Sequence, residues 1–141
     1  MMRFALALAL ALVACTPSLD DHSVVLPFSE LAAALPDAKP YTPTAKDIAR
    51  FRGALPSEVP PAIAARAPSY YGQFVGYVDK KGTRWIHGYF MCRLDHDDKS
   101  LGRERWQHQL IVVSDGGPCY FNAEWSPDTN AIRDLFVNGD A

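Results

Sequence analysis

The 141-residue chain is short of most features from which a function is usually read. It holds only three cysteines, Cys15, Cys92 and Cys119, too few for the multi-bridge scaffolds that replace a core in very small secreted proteins. Its longest uncharged apolar run, residues 4–13, is half the roughly 20 residues that a membrane-spanning helix needs. Charge of one sign is also missing: 14 basic and 16 acidic residues leave a net charge of −2. Such a balance creates no broad positive field, so no nucleic-acid partner is expected. There is no internal repeat, and no serine or cysteine nucleophile sits in a recognisable context. Ser114 precedes a Gly-Gly turn without the pattern of a nucleophile elbow. No catalytic residue, cofactor or metal is therefore assigned.

What the chain does have is strand alternation in its second half. Cys119, Phe121, Ala123 and Trp125 fall on one face of an extended segment, with Tyr120, Asn122 and Glu124 on the other. The β-branched run at residues 110–113 and the turn Ser114-Asp115-Gly116-Gly117-Pro118 predict a central hairpin with it. Strands are also expected at residues 70–78, 83–94, 106–113 and 131–137. Ser29 is placed to cap a short helix that Pro36 stops, and a Pro-rich connection runs over residues 36–43. Thr42 or Thr44 can cap the best helix, residues 45–55, where Ile48, Phe51 and Leu55 form one apolar stripe. One or two further helical turns are expected from Pro61. The reading is α+β: N-terminal helices packed on a roughly five-stranded antiparallel meander, in a single domain over residues 23–141. Residues 24–26 are too short to assign, either as tether or as a pairing strand.

The N-terminus carries the clearest signal. Met1-Met2-Arg3 gives a positive start, the apolar run follows, and it ends in Leu12-Val13-Ala14-Cys15. This pattern resembles the lipobox of bacterial lipoproteins. The resemblance implies a signal peptide over residues 1–14, a diacylglyceryl group on the Cys15 thiol, an acylated (palmitate-type) amine on the same residue, and a small polar tether over residues 15–22. Two or more acyl chains anchor stably where one binds only marginally. The competing reading is an ordinary secretory signal that leaves Cys15 free. Thr16 follows the cysteine instead of the Asp that keeps such lipoproteins at the inner membrane of enteric bacteria, which implies an outer-membrane location facing the periplasm. Loss of Arg3 with the leader leaves 13 basic residues against 16 acidic, a net charge of −3.

Lipidation of Cys15 would leave Cys92 and Cys119 as a pair, and an exported pair is a disulfide candidate. Cys92 shares a face with Ile86 and Phe90, as Cys119 does with Phe121 and Trp125. If both faces point into one core, the sulfurs can meet; two separate buried thiols are the alternative. More weakly, Tyr71-Gly72, the strand ending in Cys92, Asp115-Gly116-Gly117 with Cys119-Tyr120-Phe121, and the ending Leu135-Phe136-Val137-Asn138-Gly139-Asp140-Ala141 resemble a group of small exported bacterial proteins of unknown function. That group brings no catalytic or binding residue with it.

Three clusters remain. Asp95-His96-Asp97-Asp98 packs four possible ligands together, but it lacks the glycine and distal Glu of a calcium loop and reads as a solvated turn. His87 and His108, on strands expected to be neighbours, have Asp115, Glu124 and Asp134 as possible partners, and a His-carboxylate pair does general acid-base work. Trp85, His87, Tyr89 and Met91 share the face opposite Ile86 and Phe90. That face is either covered by the Pro-rich segment or open as a binding surface. The function expected is a non-enzymatic, lipid-anchored binding module for another envelope protein. The alternatives are a small hydrolase using His87 or His108 and a structural envelope lipoprotein.

Overall fold

The computed structural model describes residues 17–94 and 105–139. The order of elements is β1 (Ser23–Val25), β2 (Lys39–Tyr41), α1 (Ala45–Ala54), α2 (Pro61–Ala64), β3 (Tyr71–Val78), β4 (Arg84–Met91), β5 (Tyr120–Trp125) and β6 (Ile132–Val137). The α+β class holds, with two helices among the described residues.

Helix α1 starts where its sequence says it should. The Thr44 hydroxyl accepts from the Asp47 amide, and the Asp47 carboxylate accepts from the Thr44 amide at 3.0 Å, a complete capping box. Leu55 and Pro56 then continue as a 3₁₀ turn, Leu55–Ser57, and Pro61 opens α2 as its first residue. Ser29 caps nothing: its region is a 3₁₀ turn, Phe28–Glu30, without a side-chain cap.

The sheet is six-stranded with the order β1-β3-β4-β5-β6, and β2 also pairs with β3. The expectation of a five-stranded antiparallel meander is corrected at two places. First, β1 runs parallel to β3, placing Ser23 opposite Gly72 and Val25 opposite Phe74. Strand β2 runs antiparallel to the other half of the same edge, with Tyr41 opposite Gly76. Two three-residue strands thus share one edge of β3, and neither is long enough to show a period in the sequence. Second, residues 106–113 form no strand and make no hairpin with β5. They form a strap, and β5 pairs instead with β4 across that long excursion, from Ile86 opposite Trp125 to Met91 opposite Tyr120.

Cys92 and Cys119 form a disulfide with their Cα atoms 4.8 Å apart. It extends the β4–β5 pairing by one position, since the Cys92 amide donates to the Cys119 carbonyl at 2.8 Å. Gly116 and Gly117 hold positive φ angles of 94° and 56° just before it, as the Asp-Gly-Gly turn predicts.

One face of the sheet packs on α1. Phe51 lies within 6 Å, centroid to centroid, of Phe74, Phe90 and Trp125, and all four rings are buried. Gly88 makes this possible, because a Cβ there would sit 2.8 Å from the Phe51 ring. Ile48 and Leu55, the rest of the stripe read from the sequence, belong to the same core. Arg52, on the next face of α1, ties the helix to the sheet edge. Its Nε donates to Ser23 Oγ, and its Nη2 to the carbonyls of His22 and Tyr70.

Candidate functional site

The other face of the sheet presents Gln73, Val75 and Tyr77 from β3, and Trp85, His87, Tyr89 and Met91 from β4. Beside them stand Tyr120, Asn122 and Glu124 from β5 and Arg133 from β6, as the registers require. This face is not open. Trp85, Tyr89 and Met91 are 8 %, 6 % and 2 % exposed, and His87 is only partly accessible. Residues 106–113 form much of the cover, and Leu35–Ala38 lies beside Tyr77 and Arg133 around a cleft of about 300 Å³. The binding face named from the sequence is therefore largely interior, covered for the most part by the strap and, beside Tyr77 and Arg133, by the start of the Pro-rich segment.

A polar cluster spans three strands at one end of this face. Tyr77 donates its phenolic hydrogen to Glu124, and Arg133 Nη2 donates to the same phenol oxygen at 3.0 Å while lying 3.7 Å from Glu124 Oε2. The guanidinium stacks on Trp85, its Cζ 3.5 Å from the ring centroid. Trp85 Nε1 donates to Asp79 Oδ2 at 3.0 Å, and the other oxygen of Asp79 accepts from the Lys81 and Thr83 amides of the β3–β4 turn. Among the described residues Arg133 Nε has no hydrogen-bond partner, although Asp134 Oδ2 lies 3.6 Å away.

Burial dominates the electrostatics. It pushes the Glu124 carboxyl above its ordinary range, against the pull of Tyr77 and Arg133. It also raises the Tyr77 phenol, and the bond to Glu124 adds to the rise. His87 is opposite Glu124 in the register and stacks on Tyr89 at 6.1 Å. Burial holds its imidazole below the ordinary histidine value, with Asp134 opposing. A neutral imidazole beside a carboxyl is a base that could take a proton; it is equally a core residue that resists charging.

The two histidines are not neighbours on adjacent strands. His108 is exposed in the turn that follows Arg105, whereas His87 sits within β4. Of the carboxylates named with them, Glu124 and Asp134 are on His87's side of the sheet and Asp115 is exposed in the turn before Gly116. Asp95-His96-Asp97-Asp98 and Cys15 lie outside the described residues. Among the described residues, no group of three or more His, Cys, Asp and Glu side chains is placed to hold a metal ion.

Sequence reasoning missed Tyr77, Arg133 and Gln73. Gln73 and Tyr77 have the parity of the face opposite the core, and a count of polar residues at those positions would have marked them; Arg133 has the parity of Leu135 and Val137 on the core side and reaches the other face only through the register shift between β5 and β6. No protein-family model, curated protein or solved structure matches the chain.

Proposed function

We propose that the protein is a lipid-anchored, periplasm-facing domain of the outer membrane that binds another envelope protein and performs no chemistry of its own. What carries this reading is the Cys92–Cys119 disulfide in a chain headed by Leu12-Val13-Ala14-Cys15. A structural disulfide belongs to an oxidising compartment, and a lipobox-like cysteine gives a small exported domain its means of retention there.

The contact surface proposed is not the aromatic face, which is packed, but the apolar side chains that stand outside it. Val112, on the strap, is 68 % exposed and Phe136, on β6, is 60 % exposed. They flank the point where Asn138 Nδ2 donates to the carbonyls of Val113 and Asp115. Large exposed apolar side chains favour a protein partner.

Two measurements test the proposal. Mass spectrometry of the mature protein should find a chain beginning at an acylated Cys15; an unacylated chain that retains Met1 overturns the anchor. Affinity capture from solubilised envelopes should recover a protein that is lost on Phe136→Asp or Val112→Asp while the melting temperature is unchanged. Capture that is indifferent to both substitutions overturns the surface.

A further inference from the structure

The strap is held in an unusual way. Residues 106–115 make no ladder hydrogen bonds among the described residues, yet much of their main chain is satisfied by side chains of the domain. Gln73 Nε2 donates to the Trp106 and Gln109 carbonyls, both at 2.6 Å, and Gln73 Oε1 accepts from the Ile111 amide at 2.8 Å. Glu30 Oε2 accepts from the Leu110 amide at 3.0 Å. The Tyr89 hydroxyl accepts from the Val113 amide at 3.2 Å and donates to its carbonyl, and Asn138 Nδ2 donates to Val113 and Asp115. Four side chains from four separate parts of the chain thus read the donors and acceptors of one irregular segment.

Gln73 is completely buried, and both ends of its amide are committed to the strap. A buried amide left without partners is costly, so opening the strap is unfavourable until another chain or water takes up the Gln73 amide. None of the four residues reads a side chain of the strap. The four residues therefore select a main-chain path, a helical turn through residues 106–109 that runs on into irregular backbone, while Trp106 adds a buried ring against Tyr71. Recognition through main-chain groups is also how peptides are captured at sheet edges. Here the reading groups are side chains, and the segment they hold can leave without breaking a strand.

We propose that Glu30, Gln73, Tyr89 and Asn138 form a peptide-binding site that the chain fills with its own residues 106–115, and that a segment of the partner with the same main-chain path displaces them. The identity of the displacing chain as an envelope partner rests on the function proposed above; the site itself does not. The intact protein then binds such a peptide weakly, because the competent state is populated only when the strap is out.

The test uses the mature, oxidised protein and a fluorescent synthetic peptide of residues 106–115. Ile111→Pro removes the amide that Gln73 accepts from and loosens the strap. The peptide should bind this variant with a Kd at least tenfold below that for the unaltered chain, and Tyr89→Phe or Gln73→Leu added to it should abolish the gain. Equal binding to both chains, or binding that ignores Tyr89 and Gln73, overturns the site. Hydrogen exchange on the unaltered protein gives an answer even if Ile111→Pro does not fold. The Leu110, Ile111 and Val113 amides should exchange at least tenfold faster than those of Phe90 and Phe121, and exchange only together with the core overturns the proposal. Peptide binding without any captured envelope protein rejects the partner and keeps the site; the reverse rejects the site and keeps the partner.

Discussion

At the scale of single residues, the cluster of Tyr77, Glu124 and Arg133 sets the sharpest expectations. Tyr77→Phe removes the phenol that bonds Glu124 and accepts from Arg133, leaving a buried carboxyl without its hydrogen-bond donor. The loss should be about 1–3 kcal/mol in chemical denaturation. Glu124→Gln on the same background should recover part of it, since an amide is cheaper to bury than a carboxylate. His87 sets the pH response. Its folded-state pKa lies below the ordinary value of 6.5, so its contribution to stability is full above that value and is lost as pH falls through the folded pKa. Glu124, raised in the fold, acts in the opposite sense: its contribution is present in acid and is lost as pH rises through its folded pKa. Comparing His87→Gln with the unaltered chain by thermal melts across pH 4–8 should therefore show a variant whose stability falls less on acidification below about pH 6.5. Parallel curves would exclude His87 as the titrating group.

At the scale of elements, the fit of α1 to the sheet depends on the absence of a side chain at Gly88. Gly88→Ala puts a methyl group 2.8 Å from Phe51 and 2.7 Å from Phe90, both fully buried. Overpacking of this kind should cost about 1–3 kcal/mol, measured by urea unfolding. Phe51→Leu on the same background should restore some of that loss by opening space. The helix and four of the strands were legible because local rules and the tertiary fold agree there. The stripe of Ile48, Phe51 and Leu55 with a Thr-x-x-Asp start, and the period-two alternation of β3, β4 and β5, each bury the face they advertise, whereas a register shift interrupts the alternation of β6. Residues 110–113 misled for a physical reason. A β-branched run favours extended backbone, and the Leu110, Ile111 and Val113 amides are bonded, but to side chains 24 to 80 residues away. Strands β1 and β2 were illegible because three residues carry no period. The polar cluster was illegible as a unit because its members come one from each of three strands and meet only through the register.

At the scale of the whole molecule, the disulfide ties off the excursion from β4 to β5. The chain-entropy estimate for its 28-residue loop is roughly 3.6 kcal/mol, a large share of the stability of a domain this size. Denaturation of the Cys92→Ala/Cys119→Ala variant should show a loss approaching that figure. Reducing agent should destabilise the unaltered chain and leave the double variant unchanged. An equal response of both to reductant would place the stabilisation elsewhere.

The same bond makes residues 92–119 a covalently closed ring with the strap as part of its circumference. A protease that clips the ring once leaves a molecule of undiminished mass, still joined through sulfur and with β3, β4, β5 and β6 intact. The cut shows as two bands only after thiol is added to the gel sample, so an envelope extract run without reductant would conceal the scission.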